Sequence, residues 1–322
     1  MKALVTGANG FTGSHLIKAL MQQGHQVAGF VRQTSDLSRL AKTKVRLFYG
    51  DICDRAALQA ALNDVDVVFH LAAYVDLGLV DAARMEQVNV EGTRTVLAAV
   101  AAADPQPKII YCSTIGILGD TQGQVVDETF RRTQAGFSSA YDRTKYQAQQ
   151  LVNQAVAQGI HAVSLMPAGI LGPDDPHFGP VIQLFLRRRL KLWPGGDRIT
   201  GVVHVDDLVE ALILAAEQAP AGEHYIISAG ELSTRAMFQL LSQETGIPAP
   251  AEPPRELVRL LGNLLDPIGR LLRWNPPLSR ERVHYIYDRC VRIDASKARR
   301  ELGWQPRSLE ETIRELTRDR VL

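Results

Sequence analysis

The sequence predicts an α/β protein in which a doubly wound parallel sheet is joined to a smaller, mostly helical C-terminal lobe. Residues 1–16 combine a short apolar run, three evenly spaced glycines and the start of a helical pattern. Apolar strand patterns and amphipathic helix patterns then alternate as far as residue 173, and the alternation stops beyond it. Consecutive βα units place their strands in parallel through right-handed crossovers. The alternating half therefore predicts the sheet, and the irregular half predicts the lobe.

The opening stretch, MKALVTGANGFTGSHL, predicts a dinucleotide-binding unit. An apolar run at residues 3–5 has the character of a buried parallel strand, and a helical pattern covers residues 11–23. Between them, Gly7 lets the chain leave the strand sharply, Gly10 lets backbone N–H groups approach a pyrophosphate, and Gly13 lets the helix lie close to the sheet. The helix N-terminus adds N–H donors and the positive end of the helix dipole. The alternative is an ordinary tight turn, which the helix directly behind the glycines disfavours.

The other elements follow in order along the chain. Further strands are predicted at residues 26–31, 45–49, 65–71, 109–112 and 162–166. Helices are predicted at residues 55–62, 80–103 and 141–158, followed by a strand-to-helix unit at 202–217 and a strand at 225–227. The resulting division has a Rossmann-type nucleotide-binding domain at 1–173, completed by about 202–228, and a substrate lobe at 174–201 and 229–322.

The composition excludes several classes of function. Hydrophobic residues make up 46% of the 322 residues, and 36 Lys and Arg face 35 Asp and Glu, so charge gives no indication of a nucleic-acid partner. Cys53, Cys112 and Cys290 lie far apart, and the eight histidines show no metal-ligand spacing. We therefore expect a cytoplasmic protein with no metal site, no signal peptide and no transmembrane segment.

The end of the second strand favours NADP(H) over NAD(H). NAD-binding units usually carry an acidic residue there, which accepts hydrogen bonds from the ribose 2′-OH. This chain has Arg32 instead, followed by Thr34 and Ser35. A guanidinium pairs well with a 2′-phosphate, and hydroxyl groups add donors. A solvated arginine at a strand end is the alternative, so NAD(H) stays open.

Two groups of polar residues predict acid–base chemistry. Ser113 and Thr114 follow the fifth strand at the carboxyl edge of the sheet, where open α/β sheets bind their ligands. Tyr141 and Lys145 are four residues apart on a predicted helix and therefore share a face. An ammonium beside a phenol favours the phenolate, so we expect Lys145 to lower the pKa of Tyr141. Alone, such a pair is usually part of a surface helix; after the glycine turn and the two hydroxyls, it predicts an enzyme.

Taken together, these segments resemble the extended short-chain dehydrogenase/reductase superfamily. The resemblance rests on the TGxxGxxG spacing from Thr6, the Tyr141/Lys145 pair, the VHVDD at 203–207, and the DASK and ELGW of the C-terminal part. Within the superfamily, the pattern is similar to dihydroflavonol-4-reductase-like and hopanoid-associated epimerase-like proteins. It covers most of the chain, and it is most specific over 1–173, 202–208 and 294–313.

The resemblance implies a catalytic set of Thr114, Tyr141, Lys145 and Asn89. Thr114 is chosen because it lies five residues before Gly119, and Asn89 would distort its helix and help to hold a proton-relay water. The reaction implied is hydride transfer between NADP(H) and a carbonyl/alcohol pair. The implied cofactor-binding residues are Gly7, Asn9, Gly10, Phe11, Thr12, Gly13, Arg32, Asp51, Ile52, Leu71, Ala72, Ala73, Tyr141, Lys145, Pro167, Ala168, Gly169 and Ile170.

Two rival functions are weighed against a reductase. Nucleotide-sugar epimerases and dehydratases of this superfamily commonly carry an arginine where this chain has Thr200, although Arg198 is nearby. We therefore expect a small carbonyl or alcohol substrate that is uncharged or weakly charged. A non-catalytic NADP-sensing protein would be expected to lose Tyr141 and Lys145, and both are present. The substrate, the direction of the reaction and the oligomeric state, with a homodimer among the options, are not predicted.

The segment at 253–277 departs most from the pattern. Its leucines have helical spacing and are mixed with arginines, while Pro267 and Gly269 interrupt it. We expect two short amphipathic helices that pack their apolar faces into the lobe. A membrane-interfacial surface or an apolar substrate entrance is the alternative.

Overall fold

The structure, a computed structural model, describes residues 1–318. Its first half contains β1 (Lys2–Thr6), α1 (Phe11–Gln22), β2 (Gln26–Val31), β3 (Arg46–Tyr49), α2 (Arg55–Ala61), β4 (Val67–His70), α3 (Ala82–Glu86), α4 (Gly92–Ala101), β5 (Lys108–Cys112), β6 (Val125–Val126) and α5 (Ala140–Ala157). Its second half contains β7 (Ala162–Pro167), β8 (Gly169–Leu171), α6 (Gly179–Leu186), β9 (Ile199–His204), α7 (Val205–Gln218), β10 (His224–Ile227), β11 (Gly230–Ser233), α8 (Thr234–Thr245), α9 (Arg255–Leu272), α10 (Arg280–Tyr287), β12 (Arg292–Ile293), α11 (Ser296–Leu302) and α12 (Leu309–Arg318).

Seven of these strands form one parallel sheet in the order β10-β7-β5-β4-β1-β2-β3. This is the doubly wound Rossmann-type sheet that the sequence predicts. Successive residues of β1 face opposite sides, because Leu4 packs with α2, α4 and α5, whereas Val5 packs with α1 and α7. The strand order reverses between β1 and β4, whose ends meet at Thr6 and His70. Ligands of open α/β sheets bind in the crevice at such a reversal.

A separate three-stranded sheet, β11-β9-β8, lies beside the large one. The strand at Ile199–His204 therefore belongs to this small sheet, whereas α7 directly after it packs on the large sheet. Trp304 is fully buried in the core around α1 and α7, and its indole N–H donates to the Asp207 carbonyl at 2.8 Å. The part of the chain around Trp304 was expected in the lobe, and it instead completes the larger core. We propose a domain division in which 205–228 and about 294–308 join the nucleotide-binding half.

The helix predicted at 80–103 is continuous but irregular. Between α3 and α4, the residues from Gln87 to Glu91 form a π-helical turn that contains Asn89. Such turns are rare and occur frequently at functional sites. The distortion expected at Asn89 is therefore confirmed.

The segment at 253–277 contains one 18-residue helix, α9, and the two short helices expected there are wrong. Pro267 lies inside α9 on its exposed side, and Asp266 on the buried side connects α9 to the start of α10. The Asp266 carboxylate accepts a 2.8 Å bond from Arg270 and a 3.2 Å bond from the backbone N–H of Arg280. The orientation also differs from expectation, because α9 buries Val258 and small or polar residues while its leucines face outward. Among residues 1–318, none of the helices combines the length and apolar character needed to span a bilayer.

Candidate active site

The glycine turn has the geometry predicted for a dinucleotide site. Gly7 has a φ of +69°, and a Cβ there would lie 2.8 Å from the backbone nitrogen of Ala72. A Cβ on Gly13 would lie 2.2 Å from the carbonyl oxygen of Gly7, so only glycine lets α1 approach this closely. Gly10 begins α1 without a side-chain cap, which leaves the first N–H groups of the helix for an incoming acceptor.

Most of the predicted site residues surround one cavity of about 710 Å³ at the carboxyl edge of the sheet. The predicted residues that line it are Gly7, Gly10, Phe11, Thr12, Gly13, Leu71, Ala73, Thr114, Tyr141, Lys145, Pro167, Ala168, Gly169 and Ile170. The predicted residues outside its lining are Asn9, Arg32, Asp51, Ile52, Ala72 and Asn89. The structure therefore brings the glycine turn, the strand-five hydroxyls and the Tyr/Lys pair to one space.

Thr114 is held by a short 3₁₀ turn that follows β5. Its Oγ1 accepts a 3.1 Å hydrogen bond from the N–H of Gly116, which caps the turn. The hydroxyl hydrogen is therefore free to donate toward the cavity. The neighbouring Ser113 Oγ is buried at the cavity wall and has no hydrogen-bond partner among the described residues.

Tyr141 and Lys145 lie in the first turns of α5, where Ser139 caps the helix by accepting from the N–H of Asp142. The Lys145 ammonium donates to the Cys112 carbonyl at 2.8 Å, and burial lowers the pKa of Lys145 to about 8. Burial also raises the pKa of Tyr141 well above its usual value, and a hydrogen bond with Thr114 opposes this only in part. The pKa of Tyr141 is thus shifted in the direction opposite to the lowering expected from Lys145. Desolvation sets this direction, and the hydrogen bond of the Lys145 ammonium goes to the backbone of β5.

Asn89 is fully engaged with the protein. Its Oδ1 accepts from the N–H of Tyr74 at 2.7 Å, and its Nδ2 donates to the Tyr74 carbonyl and to the Thr144 hydroxyl, each at 3.0 Å. Thr144 lies between Tyr141 and Lys145, so Asn89 ties α5 to the loop after β4.

His70 lies nearby at the end of β4. Burial lowers the pKa of His70 to about 3, and the imidazole bridges Thr6 and Thr93 at 2.8 and 3.0 Å. His70 is therefore a neutral packing residue.

The end of β2 exposes Arg32. No carboxylate of the described residues lies within ion-pair distance of its guanidinium, and its backbone N–H donates to the Ser35 hydroxyl. The acidic residue that comes next, Asp36, directs its carboxylate to the N–H and hydroxyl of Ser38. Asn9 from the glycine turn donates to the Asp36 carbonyl at 3.2 Å, which ties the two loops together. Nearby, Asp51 accepts from the N–H of Cys53 in a local turn, and Ile52 is buried under the side of α4.

The far wall of the cavity comes from the lobe, and sequence reasoning missed most of it. Arg198 and Arg289 each place a guanidinium 4.5 Å from the ring centroid of Tyr285. Arg289 is nine-tenths buried and lies 3.4 Å from the carboxylate of Asp142, the residue after Tyr141. Apolar and aromatic side chains complete this wall, namely Leu171, Phe178, Trp193, Ile199, Met237 and Val291. These residues come from four lobe segments with no shared spacing, so no periodic pattern connects them in the sequence.

Residues 3–228 match the model of the NAD dependent epimerase/dehydratase family. The chain belongs to this family. A ketoreductase of Stigmatella aurantiaca, named for a 4-farnesyl-3-oxo-dihydroquinoline-1-oxide, is 33% identical over 313 residues, or 95% of this chain and 92% of that protein. A dihydroflavonol 4-reductase-like protein of Synechocystis is 30% identical over 96% of this chain and 91% of its own length.

A solved structure of a family member confirms the fold. The UDP-glucose 4-epimerase of Thermus thermophilus in complex with NAD superposes with a TM-score of 0.76 at 24% identity, over 98% of this chain and 97% of that one. Family members depend on a nicotinamide cofactor, and the relatives of this chain include ketoreductases and dehydrogenases. The resemblance inferred from the glycine turn and the Tyr/Lys pair is therefore confirmed, and this chain has the fold of a nicotinamide-dependent oxidoreductase.

Proposed function

We propose that this protein reduces a ketone or aldehyde to an alcohol with NADP(H). One observation carries the proposal: Thr114, Tyr141 and Lys145 line the same cavity as the glycine turn and residues 167–170. The apolar wall opposite them suits a lipophilic carbonyl compound. The ketoreductase relative, whose named substrate carries a farnesyl chain, supports the same substrate class.

The residues present fit a nicotinamide dinucleotide. The uncapped start of α1 offers N–H donors for the pyrophosphate, and Gly10 leaves its approach open. Residues 167–170 would lie along the nicotinamide, and Lys145 would bind its ribose. When bound, the cofactor supplies the hydride that reaches the carbonyl carbon.

The chain itself supplies the proton and the polarisation of the carbonyl. Tyr141 donates its phenolic proton to the carbonyl oxygen, and its raised pKa keeps it protonated at neutral pH. Thr114 donates a hydrogen bond to the same oxygen, since its Oγ1 accepts from the N–H of Gly116 and keeps its own hydrogen as a donor. Asn89 would support a proton-relay water through the second lone pair of its Oδ1, since both of its amide hydrogens already go to Tyr74 and Thr144.

The cofactor preference proposed is NADP(H) over NAD(H). Arg32 is exposed at the end of β2, and the Asp36 carboxylate is engaged by Ser38, so no free carboxylate of the described residues competes for a 2′-phosphate there. We also propose a cytoplasmic location, since Cys53, Cys112 and Cys290 are all free thiols.

Removing the phenol tests the function. We expect Tyr141→Phe to lower single-turnover reduction of a ketone by about 10²–10⁴-fold while cofactor affinity is retained. Lys145→Met should damage both steps, and the double variant should be little worse than the worse single variant, because residues acting as a unit are not additive. Tyr146→Phe, one residue beyond Lys145 and outside the cavity lining, is the matched control. Turnover near wild type in Tyr141→Phe would remove the main support for an enzyme of this mechanism.

A nucleotide-sugar epimerase or dehydratase is the alternative, and one observation favours it. Arg198 and Arg289 line the cavity and could bind a diphosphate, although Thr200 occupies the position where nucleotide-sugar epimerases commonly carry an arginine. Calorimetric titration of the NADP-loaded protein with UDP and UDP-sugars separates the two functions. Tight, saturable UDP binding would place the epimerase above the reductase. A non-catalytic NADP sensor predicts cofactor binding with no turnover on any carbonyl compound.

A further inference from the structure

The cavity contains a cation that the protein does not balance. Arg198 precedes β9, and its backbone is fixed because its N–H donates to Gly195 and its carbonyl accepts from the N–H of Thr234. Its guanidinium lies against Tyr285 and lines the cavity. No carboxylate of residues 1–318 lies within 4 Å of it. A guanidinium withdrawn from water without a counter-ion is costly to the folded protein.

The acidic groups around Arg198 have other partners, and Asp175, which also lines the cavity, accepts from the backbone N–H of His177 at 2.8 Å. Its neighbour Asp197 pairs with Arg235 at 2.5 Å, and Glu252 pairs with the same arginine at 2.6 Å. Asp142 lies beside Arg289 at 3.4 Å. Asp142 is thus already shared with Arg289, whereas the Arg198 guanidinium has no carboxylate of residues 1–318 within 4 Å.

We propose that Arg198 binds a carboxylate carried by the carbonyl substrate, so that the natural substrate is a lipophilic 3-oxo acid. This inference rests on the proposed function. The position of the arginines sets the distance between the carboxylate and the carbonyl of the substrate. Arg289 lies beside Asp142, which directly follows the proton donor Tyr141, and Tyr285, between the two arginines, is close enough to raise the pKa of Tyr141. An anion on Arg198 therefore lies close to the reacting carbonyl. The apolar wall receives the alkyl part.

A carboxylate fits this wall better than a nucleoside diphosphate. One guanidinium is unbalanced, which matches a single negative charge, whereas a diphosphate carries more. The side chains around it are Trp193, Ile199 and Met237, which offer apolar surface to an alkyl chain. The earlier expectation of an uncharged substrate depended on Thr200, and Arg198 supplies the charge from a different position.

Paired substrates test the proposal. The kcat/KM for NADPH-dependent reduction is measured with 3-oxodecanoate and with its methyl ester, which has the same carbonyl and chain without the charge. We expect the acid to exceed the ester at least tenfold in the wild type, and Arg198→Met to abolish that ratio. Arg187→Met, which removes an exposed arginine outside the cavity, is the control and should keep the ratio.

The outcomes distinguish a failure of the carboxylate site from a failure of the proposed reductase function. Equal reduction of acid and ester by the wild type overturns the carboxylate site and leaves the reductase intact. A ratio that survives in Arg198→Met also overturns the site. Reduction of neither compound contradicts the proposed function itself. UDP that competes with 3-oxodecanoate and loses its affinity in Arg198→Met identifies the site as one for a diphosphate.

Discussion

The three glycines of the opening turn contribute differently to stability and to cofactor binding, and alanine substitutions should distinguish these contributions. In Gly13→Ala, the new Cβ would lie 2.2 Å from the Gly7 carbonyl oxygen, far inside van der Waals contact. Both partners are backbone, so α1 must move from the sheet, and overpacking of this kind costs about 3 kcal/mol. In Gly7→Ala, a φ of +69° costs about 1–2 kcal/mol, and the clash at 2.8 Å with Ala72 adds to it.

Gly10→Ala is expected to behave differently. Its φ of −73° suits any residue, and the Cβ meets only the Gly7 carbonyl oxygen at 3.1 Å. The loss of stability should therefore stay below about 1 kcal/mol, part of it from alanine being a poor residue at a helix start. The added methyl group nevertheless occupies the space through which the pyrophosphate approaches the N–H groups of α1. We expect cofactor affinity to fall at least tenfold, which is about 1.4 kcal/mol.

Thermal melting of the cofactor-free protein and NADPH titration measure the two effects separately. With about 2 °C per kcal/mol for a large domain, Gly13→Ala should lower Tm by about 6 °C, whereas Gly10→Ala should lower it by about 2 °C at most. Gly136→Ala, where a Cβ meets no atom within 4 Å, is the control for both assays. The reasoning fails if Gly10→Ala melts as early as Gly13→Ala, or if it binds NADPH like the wild type.

Three further outcomes are expected. Arg32→Asp should weaken NADPH by about 1.5–3 kcal/mol and NADH much less, measured as two dissociation constants, and equal wild-type constants would refute the preference. Lys145→Met should stabilise the cofactor-free protein at pH 7 by about 2 kcal/mol. The folded pKa of about 8, against the usual 10.5, is equivalent to about 3 kcal/mol, and the lost hydrogen bond to the Cys112 carbonyl offsets about 1 kcal/mol of it. Between pH 8 and 10.5 the unfolded chain binds more protons than the folded protein, so the free energy of unfolding of the wild type rises over this range. The stability difference between Lys145→Met and the wild type should therefore shrink, and a difference that stays constant with pH would refute the lowered pKa of Lys145. Trp304→Phe should cost about 2 kcal/mol in denaturant unfolding through the lost bond to the Asp207 carbonyl and the space left behind, and no loss would contradict its place in the larger core.

The sheet and the cofactor side of the site were predictable because their signals are local. Gly7, Gly10 and Gly13 are three residues apart, and Gly10 and Gly13 are both required by close approach to the backbone of Gly7. Tyr141 and Lys145 are one helical turn apart, so their common face follows from the helix period alone. The parallel sheet also follows from the alternation of strands and helices, since consecutive βα units place their strands in parallel through right-handed crossovers.

The pKa of Tyr141 and the orientation of α9 could not be predicted in the same way. A pair of residues on one helix predicts that an ammonium lies near a phenol, but the depth of burial depends on what the lobe places above them. Here desolvation raises the pKa of Tyr141, and Lys145 is directed to the Cys112 carbonyl. For α9, the leucine period predicts an amphipathic helix equally well whether the stripe faces the core or the solvent. The small residues Gly262 and Gly269, which let the opposite face pack closely, decide the orientation.

The substrate wall shows why cofactor chemistry is easier to predict from a sequence than substrate choice. Arg198 comes from the loop before β9, whereas Tyr285 and Arg289 come from α10 and the residues after it, nearly ninety positions later. Nothing in the spacing of these segments indicates that two guanidinium groups meet on one tyrosine ring. The positive charge of Arg198 stays unpaired because Asp197 and Glu252 form ion pairs with Arg235, a third cation that lies outside the cavity. The spacing of Tyr141 and Lys145 on one helix is enough to predict the proton donor. The charge of the substrate group that binds Arg198 depends instead on how the charges of the whole lobe are paired.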